Sequence, residues 1–178
     1  MGTPYQVLEC YRQFVLRVDA AAAGIASRWR GEIQCRPGCD GCCTPLSILP
    51  IEAAAMREGI TALEALPDAA GRCLMLTAEG LCAVYEYRPL ICRTHGLPIA
   101  GVEIAGGVDC CPLNFRNHAL NRLPRQELID VDALNRALIA FNALYLRASG
   151  LDPRSTERID LASLRSRAWS DRNPRGVE

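Results

Sequence analysis

The chain has 178 residues, long enough to bury a core without cross-links, and its 20 basic and 20 acidic side chains leave no net charge. That balance removes the electrostatic drive for nonspecific binding to nucleic acid or to an anionic membrane, so neither is an expected partner. Every basic side chain is arginine, which excludes lysine nucleophiles and Schiff bases.

The first residues, Met1 to Tyr5, lack a basic segment followed by an apolar run, so no export signal is read. Gly2 fits the start of a myristoylation signal, but Gln6 stands where Ser or Thr is required. The Ala-rich run at 20–26 is bounded by Asp19 and Arg28 and is too short to span a bilayer. A cytoplasmic location with reduced thiols is the expectation.

Residues 4–30 predict one long helix, because Val7, Tyr11, Phe14, Val18, Ala22, Ile25 and Trp29 recur at steps of three and four; Gly31 is its expected stop. A loop at 35–43 is kept irregular by Pro37, Gly38 and Gly41. A short helix is expected over 50–58, closed by Gly59, and the capping-box spacing of Thr61 and Glu64 predicts another. Between 73 and 105, Leu74–Leu76, Leu81–Val84 and Val102–Ala105 are short β-compatible runs, which predict one or two small hairpins. Residues 131–149 predict a second long helix with Asp130 as N-cap and Gly150 as stop. A short helix around 160–168 and a frayed tail at 170–178 complete the chain. The expected architecture is a single domain over 1–169, mainly α with small β hairpins (α+β), its helices packed around a cysteine-rich centre at 35–115.

Ten cysteines are present, and nine of them fall between Cys35 and Cys111. The first group is Cys35, Cys39, Cys42 and Cys43; the second is Cys73, Cys82 and Cys92; the third is the adjacent pair Cys110 and Cys111. Thiolates are soft, charged donors that bind zinc, iron or copper(I), and this density far exceeds what inert packing needs. A loop containing Gly and Pro can turn Cys35, Cys39 and Cys42 toward one metal, which a helix or strand cannot do at those offsets. Cys43 does not readily share a tetrahedral ion with Cys42, because adjacent side chains diverge. It serves a second metal, bridges, or stays free, and the same holds for Cys110 and Cys111. Nine thiols exceed one four-coordinate site, so either two sites exist or one cluster lies beside spare thiols. A disulfide framework is disfavoured, since it belongs with export. Cys10, outside the block, is expected to be a buried, reduced core cysteine.

The spacing C-x3-C-x2-C is also that of radical S-adenosylmethionine enzymes. Those enzymes need a barrel of alternating strands and helices after the motif, and the remaining chain shows no such alternation. The capacity of the loop to hold iron–sulfur does not depend on the barrel. Four thiolates around Zn²⁺ or around a 4Fe–4S core leave about two negative charges to be offset nearby. Arg36, Arg72, Arg88 and Arg93 are close in sequence to the cysteines. His95 follows Cys92 at a spacing that permits ligation, or a hydrogen bond to a ligating sulfur. Tyr85 could donate to sulfur, although packing is the plainer reading for it and for Tyr87. Glu86 and Asp109 are the nearest acids, with an ion pair to Arg88 or Arg93 sufficient to explain Glu86. His118 lies in a polar stretch and reads as structural or exposed.

The segment Cys39-Asp-Gly-Cys42-Cys43, followed by Cys73, Cys82, Tyr85-Glu86-x-Arg88-Pro89, Cys92 and Arg93, resembles the YkgJ-like cysteine-cluster family, CxxCxxCC. That family is described as a zinc- or iron-chelating domain, and flagellin lysine methylases carry a similar cluster. The resemblance covers roughly 35–115. It implies metal or iron–sulfur binding by Cys35, Cys39, Cys42, Cys43, Cys73, Cys82, Cys92 and one of Cys110 and Cys111. It implies no substrate.

Three functions follow. One is an iron–sulfur or iron protein doing redox, sensing or metal-handling work, with a redox or protein partner. Another is an enzyme using the centre, distantly like the flagellin methylases, although no phosphate loop, Ser-His-Asp set or dinucleotide fingerprint is present. The last is a structural zinc module for partner binding, which should leave no thiol over. The expected cofactor is an iron–sulfur cluster of the 4Fe–4S kind, or Zn²⁺ or iron ions.

Overall fold

The computed structural model describes residues 2–61, 63 and 71–165. Helix α1 (Pro4–Arg28) starts where Thr3 and Gln6 cap one another: Thr3 Oγ1 accepts from the Gln6 amide at 3.2 Å and Gln6 Oε1 from the Thr3 amide at 2.8 Å. Gln6 thus serves helix initiation. The helix ends two residues before the expected boundary, and Trp29, not Gly31, is its C-cap. The reason is a tertiary anchor. Buried Glu127 accepts from Arg28 Nε at 2.9 Å and from Trp29 Nε1 at 2.9 Å, and turns the chain there.

Strand β1 (Ser47–Ile48) leads into helix α2 (Pro50–Thr61). This helix runs through Gly59 rather than stopping at it. Gly59 is required for a different reason: a Cβ there would run into the Tyr87 ring. Thr61 ends α2, its hydroxyl donating to the Glu58 carbonyl at 3.0 Å. The helix expected to begin at Thr61–Glu64 falls on residues outside those described.

The hairpins expected over 73–105 are only partly present. Leu76 and Cys82 form a single antiparallel bridge, followed by one 3-10 turn at Tyr85–Tyr87. Helix α3 (Leu90–Thr94), which the apolar pattern did not suggest, begins immediately after Pro89. Strand β2 (Ile99–Ala100) pairs antiparallel with β3 (Val108–Asp109) and parallel with β4 (Ile129–Asp130). Val102–Ala105, expected as strand, lies in the connection between β2 and β3, with Val102 fully in solvent. Helix α4 (Val131–Ala148) starts as expected, with the Asp130 carboxylate accepting from the Ala133 amide at 2.8 Å, and Gly150 follows it at φ 74°. Strand β5 (Ile159–Asp160) pairs antiparallel with β1. The helix expected over 160–168 is a 3-10 segment, Leu161–Arg165, as far as the described residues extend; the tail at 170–178 lies outside them. The result is mainly α with small β elements.

Helix α1 packs on α4, α2 and α3. Tyr11, Val15 and Val18 of α1 meet Leu49, Ile51, Leu90 and Leu138, and the rings of Phe14 and Phe141 lie 5.4 Å apart beside them. Buried Glu52 ties two helix starts together, accepting from the Leu49 and Leu90 amides at 3.0 Å each. Burial raises its pKa, and those two amides oppose the shift. A second cluster joins Ile48, Ala53, Met56, Met75, Val84, Leu161 and Leu164, with Cys73 and Cys82 packed on its flank. Among the described residues no helix is long and apolar enough to cross a membrane.

Candidate metal centre

All ten cysteines are free thiols. The loop carrying the first four is built from two successive turns, in which the Cys39 amide donates to the Arg36 carbonyl at 2.9 Å and the Cys43 amide to that of Asp40 at 2.8 Å. Gly38, at φ 83°, permits the reversal between them. An ion pair between Asp40 and Arg72 and a 3.0 Å bond from the Cys73 amide to the Cys43 carbonyl then join this loop to the second cysteine group.

The thiols fall into two groups, which are in contact through the Cys42 and Cys43 side chains. Cys43, Cys73, Cys82 and Cys92 make up the core-side set. Each is half-buried, and they come from four segments of chain. Burial pushes the Cys92 thiol up to about 12, with repulsion from Cys73, Cys82 and Cys43 adding to it and Arg88 opposing it. Burial likewise pushes Cys43 up to about 11, with Cys42, Cys73 and Cys82 contributing. Cys82 is raised by burial and by Cys73, and lowered by Arg88.

Arg88 is therefore the cation facing this set. It is held by its own Nε, which donates to the Tyr85 carbonyl at 2.8 Å, and by the Tyr85 ring, 3.5 Å beneath its guanidinium carbon. Its Nη1 reaches the Cys92 carbonyl at 3.4 Å. Tyr85 thus supports the arginine. Arg93 is buried and bonds the Arg88 carbonyl at 2.8 Å, the Glu86 carbonyl at 2.6 Å and the Asp19 carboxylate. The expected ion pair of Glu86 with arginine is replaced by this backbone contact.

The other set is Cys35, Cys39, Cys42, Cys110 and Cys111. All five line one cavity of about 660 Å³, whose remaining wall is mostly apolar and includes Leu90, Leu134 and Leu138. Burial raises the Cys42 pKa, with Cys35 and Cys39 adding to the shift; Cys110 is raised by burial, then by Asp109, Cys111 and Cys35. His95 lies at the same cavity, and desolvation lowers its pKa.

Asn114 organises this set, and nothing in the sequence pattern pointed to it. It is 3% exposed. Its Oδ1 accepts from the Gln34 amide at 2.7 Å, and its Nδ2 donates to the Gly96 carbonyl at 2.6 Å and to Cys35 Sγ at 3.4 Å. Its own amide donates to the Cys111 carbonyl at 2.9 Å. One residue, by its side chain and its own amide, therefore joins the loop before Cys35, the turn after α3 and the Cys110–Cys111 segment. Gly96 allows the approach: a Cβ there would sit 2.7 Å from Cys35 Sγ. The only sequence signal was its position three residues after Cys111.

The other expected residues fall elsewhere. Cys10 is exposed, not buried, because it projects from α1 away from the stripe that packs. His118 is structural, with Nδ1 3.3 Å from the Glu32 carboxylate and its ring edge-on to Trp29. Arg36 bonds the Gln34 carbonyl at 3.5 Å and Arg72 pairs with Asp40. Within each set the sulfurs are in electrostatic range of one another. Among the described residues no three Cys, His, Asp or Glu side chains are already at metal-holding distances.

Sulfur-only donors of this number, half-buried and opposed by one arginine, suit a soft tetrahedral cation or a cluster and suit Mg²⁺ or Ca²⁺ poorly. No curated protein and no solved structure matches the chain. A family model does match, over residues 34–105, and its description is "CxxCxxCC: Putative zinc- or iron-chelating domain". The literal pattern of that name is met from Cys39 onward, whereas three residues separate Cys35 from Cys39. The matched segment takes in seven of the nine clustered cysteines and ends before Cys110 and Cys111. Residues 34–105, less than half of the chain, are thus similar to the domain which that model describes.

Proposed function

We propose that this chain holds iron, as an iron–sulfur cluster or an ion, through Cys43, Cys73, Cys82 and Cys92, for redox, sensing or metal-handling work. The single observation that carries the reading is that these four thiols, up to 49 positions apart from Cys43 to Cys92, come within electrostatic range of one another, with Cys73 and Cys82 packed against one apolar core and Arg88 facing Cys82 and Cys92. Four thiolates are the standard complement for a 4Fe–4S or 2Fe–2S cluster, and the group supplies electron exchange when bound. The chain's own part is to position and to insulate. Met75 and Val84 bury one side of the set, and Arg88 offsets part of the negative charge. Cys43, Cys73, Cys82 and Cys92 would hold the group, with Cys73 at the start of a turn and Cys82 in the bridge to Leu76.

The test is anaerobic purification followed by metal and sulfide analysis and an absorption spectrum. Iron with sulfide and a broad visible band is the expected result. A colourless protein carrying zinc would replace it with a structural zinc centre at the same four residues. Full-length protein with neither metal, and with all thiols freely alkylated, would overturn the reading.

A further inference from the structure

We propose that Asp19 and Arg93 are positioning residues for the core-side centre: they clamp the turn at Glu86–Arg88 onto α1 and so aim the Arg88 guanidinium at Cys82 and Cys92. The inference rests on the reading that Cys43, Cys73, Cys82 and Cys92 hold metal. It gives α1, which carries none of those cysteines and lies outside the matched residues 34–105, a part in how tightly the metal is held.

One guanidinium builds the clamp. The Arg93 side chain is 7% exposed. Its Nε donates to the Arg88 carbonyl at 2.8 Å, its Nη2 to the Glu86 carbonyl at 2.6 Å, and its Nη1 to the Asp19 carboxylate, 74 positions away on α1. A buried guanidinium is tolerated when its charge is paired and its donors are met, and Asp19 supplies that charge. The planar fork fixes three acceptors at set angles, which a lysine cannot do.

The clamped turn carries Arg88. Its Nε donates to the Tyr85 carbonyl at 2.8 Å, and its guanidinium lies 3.5 Å from the centre of the Tyr85 ring. Tyr85 is itself 56% exposed, so the ring alone is a poor anchor. With the Arg88 carbonyl held by Arg93, the side chain is directed from a fixed backbone, and its Nη1 reaches the Cys92 carbonyl at 3.4 Å. From there its charge favours the ionised forms of Cys82 and Cys92. A cation kept beside thiolates lowers the cost of gathering their charges on one metal, and a cation free to swing into water does so less.

The test is a double-mutant cycle on the full chain. Metal-free, reduced protein is titrated with Zn²⁺ against a chromophoric chelator. Iodoacetamide mapping by mass spectrometry scores the zinc that shields Cys82 and Cys92. Arg88→Gln should weaken that binding about tenfold, and Asp19→Ala about three- to tenfold. The double variant should bind no more weakly than Arg88→Gln alone, because Asp19 acts through Arg88. A merely structural ion pair would cost the same factor in both backgrounds. That result, or an unchanged affinity in Asp19→Ala, would overturn the inference while leaving the metal centre intact. Arg93→Lys keeps the charge and loses the fork, and the same non-additivity is expected of it without relying on Asp19→Ala. Zinc that leaves Cys82 and Cys92 unshielded in the wild-type chain would overturn the reading of the centre, and this inference with it.

Discussion

Cys42 and Cys43 are joined by one peptide bond, yet they belong to regions with opposite physical characters. Cys43 stands near Cys73, Cys82 and Cys92, of which Cys73 and Cys82 pack on the flank of an apolar core and Cys82 and Cys92 feel the Arg88 cation. Cys42 sits with four thiols around an open cavity, held by an amide hub in place of a hydrophobic one. A metal on the core side closes segments that the fold already packs together, so its loss should be felt as stability. The cavity side is held by Asn114, so damage there should be felt in the loops it joins and not at the core-side centre. The lesson is that the same ligand chemistry is assigned different work by what lies behind the sulfurs.

The largest expected effect comes from attacking the core side. Cys82→Ser should lose the tightly held metal and lower the melting temperature by about 10 °C, the shift that roughly 3–5 kcal/mol produces in a chain of this size. Metal analysis and calorimetry on the same sample check it. Retention of metal with an unchanged melting temperature would remove Cys82 from the centre and dissolve the contrast between the regions.

Next in size is Asn114→Ala. It leaves the buried Gly96 carbonyl and the partly buried Gln34 amide without their side-chain partner, a loss of about 2–3 kcal/mol. Chemical denaturation measures the loss, and metal analysis on the same sample should show the core-side metal still in place; loss of both together would mean general unfolding.

Gly96→Ala sharpens the comparison at a single atom. At φ 87° an alanine is strained, and its Cβ would meet Cys35 Sγ at 2.7 Å. A loss of about 1–3 kcal/mol is expected, with metal on the core side unchanged. Loss of core-side metal in this variant would show that the two sets respond as one.

The pH dependence has a definite sign. The folded pKa of Cys92 is about 12 and that of Cys43 about 11, both above the ordinary thiol value of 9.0. In the metal-free chain the unfolded state therefore loses its protons first as pH rises past 9.0. The stability these protonated thiols confer is complete below that pH and disappears as pH climbs through about 11 to about 12. For the same reason, loading the core-side set at neutral pH should release close to four protons per four-thiolate metal, measurable with a dye in weak buffer. Release of fewer than about two would mean that fewer than the full set ligates.

Much of this was legible in the chain, in proportion to how local its causes are. The long helices declared themselves through Tyr11, Val18 and Ile25 and through Leu134, Leu138 and Phe141, because periodic burial writes itself into the sequence. Asp130 capped α4 as its type and place suggested. What escaped were effects of distant partners. Glu127, about 100 positions from Trp29, ends α1 early; Tyr87 explains Gly59 better than helix termination does; and Asn114 acquires its role only when three loops meet. Spacing revealed the ligand types, but the partition into two sets needed the burial behind each sulfur.

The smallest expected effect is the most useful control. Cys10 lies on the exposed face of α1, outside both sets, so Cys10→Ser should change stability by no more than about 0.5 kcal/mol and leave metal content as it is. An exposed thiol can nevertheless cross-link two chains on oxidation, and the serine variant removes that route while preserving size and polarity. If metal is lost in this variant under reducing conditions, then a sulfur remote from the cavity and from the core flank takes part in ligation. The division by neighbourhood would then fail at its simplest point, because Cys10 has no clustered thiol beside it to share an ion.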